Sequence, residues 1–97
     1  MTGLKQYTDA QKAMIQICDE MAQFLVEKNI AYGNSAFTDV TLGGTVISAE
    51  LGIKVRIIDK IKRLLDGKEY GSEDTYKDLL GYLIILLANR KLKNKEI

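Results

Sequence analysis

Residues 74–93, DTYKDLLGYLIILLANRKLK, decide the fold, because their middle is apolar on nearly every side. Such a helix is typical of the centre of a helical protein, where neighbouring helices cover it. Ser72 can cap this stretch, and Glu73 and Asp74 complement its dipole, so the third helix is predicted to span 73–93. A chain of 97 residues is short for covering such a helix alone, which predicts completion by oligomerisation.

Two further helices are predicted upstream from their end signals and apolar spacing. Thr8 and Gln11 form a capping box before apolar residues at spacings of three and four, which predicts a helix over 9–29. A second helix is predicted over 47–65, with Gly67 as its stop. Its apolar residues share one predicted core face: Leu51, Val55, Ile58, Ile61 and Leu65.

The connection between these two helices is unusually long. Residues 30–45 contain several Gly, Asn, Ser and Thr and show no sustained period, so a long ordered loop is predicted over 30–45. The chain has no Pro, no repeat and no low-complexity tract. We therefore expect a single all-α domain over 1–97, a small bundle of three main helices.

Composition limits the chemistry available to the chain. A net charge of +1 predicts no bulk attraction to nucleic acid. The absence of His excludes His-ligated zinc and a Ser-His-Asp triad, so any metal would be Mg or Mn held by carboxylates. Cys18 is the single cysteine and is predicted to be a reduced core residue. Without a signal-peptide pattern or an apolar run long enough for a membrane span, a cytoplasmic protein is predicted, with no membrane partner.

The second helix carries a row of cations. Arg56, Lys60 and Arg63 fall at i, i+4 and i+7 and share one stripe, with Asp59 beside it. Such a stripe is able to hold phosphate oxygens, and Arg does so through two parallel hydrogen bonds. The alternative is a solvated face balanced by neighbouring acids.

The third helix carries an acidic counterpart. Asp74 and Asp78 are four residues apart on one face, and Tyr82 continues the row. Carboxylates at this spacing can share one Mg ion. In the alternative interpretation, Asp74 satisfies the helix start, while Asp78 pairs with a Lys or Arg of the second helix.

The stretch IAYGNSAF, residues 30–37, supplies a different set of groups. Gly33 permits a positive φ angle, Asn34 and Ser35 offer short polar side chains, and Tyr32 offers a flat aromatic face. Aromatic faces and turn amides are the groups that hold a nucleobase and a phosphate. The alternative is an ordinary turn whose aromatic residues close the end of the bundle.

Taken in order, these blocks resemble the first of the nucleotide modification associated domains, a family of small helical proteins found widely in phages and prophages. The resemblance covers roughly residues 15–88 and follows the pattern K-x-x-x-Y-G-x-S, R-x-x-D-K-x-x-R and E-D-x-x-x-D-x-x-G-Y. It is met here by Lys28, Tyr32, Gly33 and Ser35, by Arg56, Asp59, Lys60 and Arg63, and by Glu73, Asp74, Asp78, Gly81 and Tyr82.

That family is distantly similar to the all-α nucleotide pyrophosphohydrolases of the MazG type, which dimerise and hold Mg with an E-x-x-E and a later E-x-x-D. In this sequence Glu20 is followed by Gln23, and Thr75 stands three residues before Asp78, so expected acids are absent. The resemblance therefore implies a nucleotide-binding protein of phage type that sequesters its ligand. Two alternatives stay open: an Mg-dependent pyrophosphohydrolase-like or nucleotide-modifying enzyme, and a non-enzymatic helical interaction module.

The resemblance also implies a distribution of roles within a nucleotide site. The cations of the second helix would hold phosphates, and residues 32–35 would contact the base or sugar, with Lys28 and Tyr82 nearby. Asp74 and Asp78 would bind Mg if a metal is used. The expected partners are a nucleotide or nucleotide-derived small molecule and further copies of the chain.

Overall fold

The computed structural model describes residues 6–67 and 74–94, and 78% of these residues are helical. The chain divides into two compact units, Met1–Gly33 and Asn34–Ile97. The first contains helix α1, and the second contains a short 3-10 turn, a two-stranded hairpin and helices α2 and α3. The all-α class predicted from the sequence is confirmed. In chain order the elements are α1 (Asp9–Tyr32), the turn (Ser35–Phe37), β1 (Val40–Leu42), β2 (Thr45–Ile47), α2 (Ala49–Asp66) and α3 (Thr75–Asn94).

Helix α1 begins at the predicted capping box. Thr8 Oγ1 accepts a hydrogen bond from the Gln11 amide at 3.1 Å, and the Thr8 amide donates to Gln11 Oε1 at 2.8 Å. The helix runs three residues past its predicted end at residue 29, because Gly33, with φ of 72°, is the first residue to leave helical geometry. Tyr32 is therefore the last residue of α1 rather than part of a loop.

The predicted burial of Cys18 is wrong, because this residue is exposed on α1. Spacings of three and four identify the apolar face of a helix, but they do not show which residues of that face other parts of the protein cover. Cys18 lies on this face and is nevertheless exposed. The buried residue of α1 is Met21, one turn further along.

The predicted loop over 30–45 is largely structured. Strands β1 and β2 form an antiparallel hairpin in which Val40 pairs with Ile47 and Leu42 with Thr45. Gly43 and Gly44, with φ of 57° and 82°, make the two-residue turn between them. Such turns need a positive φ at both positions, which glycine adopts without strain.

Helix α2 begins two residues later than predicted, after Ser48. Ser48 Oγ accepts from the Leu51 amide at 3.1 Å, and Asp39 Oδ1 accepts from the Ala49 amide at 2.8 Å, so two amides of the first turn have side-chain partners. The predicted stop is confirmed, because Gly67 adopts the left-handed conformation and closes the helix after Asp66.

Helix α2 packs against α3, but through a different side from the predicted one. Ala49 and Ile53 are its buried residues, each 4% exposed, and Lys60 is half-buried on the same side. The five apolar residues predicted to face the core are exposed. Helix α2 is apolar on two opposite sides. The side that α3 covers is the one that carries Lys60, which pairs with Asp78 of α3.

Helix α3 is covered on fewer sides than its sequence predicts. Its buried residues are Thr75, Gly81 and Asn89, while Leu83 is 41% and Leu87 is 64% exposed. The predicted start residues Ser72 and Glu73 lie outside the described residues. Within them, the first turn is capped by Asp74, whose Oδ1 accepts from the Lys77 amide at 3.1 Å. Across residues 6–67 and 74–94, no helix has both the length and the apolar character required to cross a membrane.

Candidate functional site

The cationic row of α2 and the acidic row of α3 meet in an ion pair. Lys60 Nζ lies 3.4 Å from Asp78 Oδ2, and the two side chains are 13% and 28% exposed. The sequence separates these residues by eighteen positions, and the packing of α2 on α3 brings them together. This contact is the pairing foreseen in the alternative interpretation of the acidic row, and it unites two of the three predicted blocks.

The other cations of the row differ from Lys60 in exposure. Arg56 is exposed and forms no ion pair with any residue that the structure describes, whereas Arg63 is half-buried and has an interaction of its own. Because α2 is continuous from Ala49 to Asp66, the row spans about 10 Å along one side of the helix. Asp59 lies exposed beside it. Along the row, therefore, Arg56 is exposed, Lys60 is paired with Asp78 and Arg63 is half-buried.

Both carboxylates of the predicted Mg site have protein partners. Asp74 caps α3 through the Lys77 amide, and Asp78 pairs with Lys60. In the two described segments, no group of three or more potential metal ligands occurs. An Mg ion at these residues would compete with Lys60 for Asp78, so the metal site stays a prediction.

Two further residues of α3 lie close to the acidic row. Tyr82 is half-buried one turn beyond Asp78, as expected for a phenol that continues the row. Thr75 is 1% exposed, and its hydroxyl has no hydrogen-bond partner among the described residues. A buried hydroxyl without a partner is destabilising.

The residues of IAYGNSAF fall on either side of the boundary between the two units. Tyr32, 75% exposed, and Gly33 belong to the first unit, and Asn34 and Ser35 begin the second. The Asn34 carbonyl accepts from the Phe37 amide and from the Thr38 hydroxyl, both at 2.9 Å, and the turn that follows packs on α2. The stretch therefore contributes residues to both units.

Lys28, the remaining predicted binding residue, lies on α1. Its Nζ is 4.9 Å from the centroid of the Phe24 ring, four residues earlier on the same helix. This is a cation–π contact at an exposed site, where such contacts contribute about 0.5–1 kcal/mol. Lys28 therefore has a local role within the first unit.

A polar cleft between the start of α2 and the end of α3 was not predicted from the sequence. It has a volume of about 210 Å³ and is lined by Ser48, Glu50, Asn89, Arg90, Lys93 and Asn94. The Glu50 carboxylate accepts from Arg90 Nε at 2.9 Å and lies 3.0 Å from Lys54 Nζ. On the same side, Lys93 Nζ is 3.9 Å from Asp39 Oδ1.

Each cation at this cleft is paired with an acid: Lys54 and Arg90 with Glu50, and Lys93 with Asp39. The hydrogen bond from Arg90, followed by that from Lys54, lowers the pKa of Glu50 from 4.5 to about 2, and Glu50 raises the pKa of Arg90. The acids already hold the cations, so the cluster connects the start of α2 to the end of α3. Glu50 and Arg90 are forty residues apart, and no local spacing in the sequence could have indicated their contact.

Comparison with family models, curated proteins and solved structures finds no match to the chain.

Proposed function

We propose that this protein binds a nucleotide through its phosphate groups along the cationic row of α2. The observation that supports the proposal is Arg56, which is exposed and forms no ion pair with the residues that the structure describes. It lies one turn before the Lys60–Asp78 contact on the same helix. An exposed guanidinium beside a paired ammonium offers a phosphate a first, bidentate contact.

In this proposal the phosphate competes with Asp78 for Lys60. The ligand first binds Arg56. Its phosphate oxygens then replace the Asp78 carboxylate as the partner of the Lys60 ammonium. Arg63, one turn further on, supplies the next cation of the row. Asn34 and Ser35, which belong to the same unit as α2, are proposed to contact the base or sugar.

Binding and sequestration are proposed in preference to hydrolysis. Asp74 is engaged as the cap of α3 and Asp78 by Lys60, so the two carboxylates of the predicted Mg site have other partners. Gln23 and Thr75 also stand where the resemblance to pyrophosphohydrolases expects acids. We propose that the protein acts in the cytoplasm of a phage-infected cell, where a sequestered nucleotide signal would be held intact.

A thermal-denaturation panel of ribonucleotides, deoxynucleotides and cyclic dinucleotides, with and without Mg, tests this proposal. A ligand at a hundredfold its dissociation constant should stabilise the fold by about 2.7 kcal/mol. The protein should select among the nucleotides, and chromatography after incubation should recover the ligand unchanged. Conversion of the ligand that requires Mg and disappears in Asp78→Asn would instead establish the enzyme, and the absence of any shift would contradict nucleotide binding.

A second candidate function, a helical interaction module, is favoured by a separate observation. Leu51, Val55, Ile58 and Leu65 of α2 are each about half or more exposed. Contiguous exposed apolar residues of this size mark surfaces that other proteins cover. This function is compatible with nucleotide binding, since the exposed apolar residues and the cationic row lie on different sides of α2.

A further inference from the structure

Five apolar residues of α2 form an exposed stripe on the side of the helix that faces away from Ala49 and Ile53. We call these residues the outer α2 stripe. Their exposed fractions range from 42% for Ile61 to 82% for Leu65. Successive spacings of four, three, three and four keep all of them on one helical face: Leu51, Val55, Ile58, Ile61 and Leu65.

The outer α2 stripe is symmetric about Ile58. Val55 and Ile61 each lie three residues from this centre, and Leu51 and Leu65 each lie seven residues from it. When two such helices pair in antiparallel fashion about a two-fold axis at Ile58, every apolar side chain meets an apolar side chain. Two-fold interfaces require this property, because one patch must complement itself.

The area of the stripe matches what a dimer needs. At these exposures the five side chains present on the order of 500 Å² per chain, so two copies would bury about 1,000 Å², the lower bound of a specific interface.

We propose that a second copy of this chain covers the outer α2 stripe, with the two α2 helices antiparallel and the two-fold axis at Ile58. Leu51 then packs on Leu65 of the second copy, and Val55 packs on Ile61 of the second copy. The net charge of +1 opposes self-association only weakly. Lys54 faces Lys62 of the second copy, but it is already paired with Glu50 at 3.0 Å, which reduces their repulsion.

This surface is independent of the proposed nucleotide site. On a helical projection of α2, Arg56, Lys60 and Arg63 lie on the sides away from Ile58. Dimerisation through the outer α2 stripe therefore leaves the cationic row accessible. The inference stands whether or not the protein binds a nucleotide.

Light scattering on the full chain after size exclusion tests the proposal. The wild type should have twice the mass of 10.9 kDa, and Ile58→Lys should halve that mass, because two ammonium groups would meet at the axis. Val46→Lys, at a residue of β2 that is 63% exposed, is the matched control and should remain dimeric. A monomeric wild type, or a dimer that Ile58→Lys leaves intact, would overturn the proposal.

Disulfide cross-linking in a Cys18→Ser background tests the register without relying on a disruptive variant. Ile58→Cys should cross-link to itself, and Leu51→Cys should cross-link to Leu65→Cys when the two variants are mixed. Leu51→Cys alone should not, because two copies of this residue would lie about 21 Å apart along the antiparallel helices. Cross-linking of Leu51→Cys to itself would show parallel helices and contradict the proposed axis.

Discussion

Glu50 and Arg90 join the first turn of α2 to the last part of α3 through a hydrogen bond of 2.9 Å between Arg90 Nε and Glu50 Oε1. Lys54 adds a second cation 3.0 Å from the same carboxylate. The two helices are thus connected by charge at this end of their seam, and by Lys60 and Asp78 further along α2.

The Glu50 cluster predicts an acid-dependent loss of stability. The pKa of Glu50 is about 2 in the folded chain, against an ordinary value of 4.5, so its contribution is fully present above pH 4.5 and is lost as the pH falls towards 2. Glu50→Gln should therefore flatten this part of the stability profile, measured by urea denaturation between pH 7 and pH 2. Asp19→Asn, at an exposed residue of α1, is the control and should leave the profile as in the wild type.

The Lys60–Asp78 pair predicts a non-additive response to mutation. Lys60→Met leaves a partly buried carboxylate without its cation and should lower the free energy of unfolding by about 1–3 kcal/mol. Adding Asp78→Leu should restore part of that loss, because it removes the unpaired charge. If the double variant instead loses the sum of the free energies of unfolding that Lys60→Met and Asp78→Leu lose singly, as measured by denaturant titration, the pairing is contradicted. Lys54→Met, which breaks an exposed pair within one helix, should cost no more than about 0.5 kcal/mol.

Two glycine substitutions should have opposite effects on stability. Gly43→Ala places a side chain at φ of 57° and should destabilise the hairpin by about 1–2 kcal/mol, although no atom lies within 4 Å of the new methyl group. Gly52→Ala also meets no atom within 4 Å, but it lies inside α2 and should stabilise the chain by about 0.5–1 kcal/mol. Thermal denaturation checks both signs, and a neutral Gly43→Ala would argue against the two-residue turn.

Thr75 offers a substitution that should raise stability. Its hydroxyl is buried and finds no partner among the described residues, so Thr75→Val keeps the shape and removes the cost of the orphaned group. We expect a gain of about 1 kcal/mol by chemical denaturation. Thr75→Ser retains the hydroxyl and loses a methyl group, and should be less stable than the wild type. A clear loss of stability in Thr75→Val would indicate that the hydroxyl has a partner.

The ends of the helices could be predicted from the sequence where a local signal fixes them. The capping box at Thr8 and Gln11 and the stop at Gly67 depend only on nearby residues, and both are present. The hairpin was missed because its strands have three residues each, too few for an alternating pattern. Gly43-Gly44 between two β-branched runs was the available signal.

The side of α2 that is buried could not be predicted, because the helix is apolar on two opposite sides. Its spacing is equally compatible with a core of Ala49 and Ile53 or of Val55 and Ile58. Contact with α3 decides between them. For the candidate site, the spacing of the cations on α2 was predictable, but the engagement of Lys60 by Asp78 required the packing of two helices.

The most direct test of nucleotide binding on α2 is a calorimetric titration of three proteins with the nucleotide that stabilises the fold most. Arg56→Ala removes the exposed guanidinium of the cationic row, and Lys62→Ala removes an equal charge from another side of the same helix. We predict at least a tenfold loss of affinity in Arg56→Ala, since a charge-assisted contact is worth about 1.5–3 kcal/mol, and wild-type affinity in Lys62→Ala. Wild-type affinity in Arg56→Ala would contradict the proposed site.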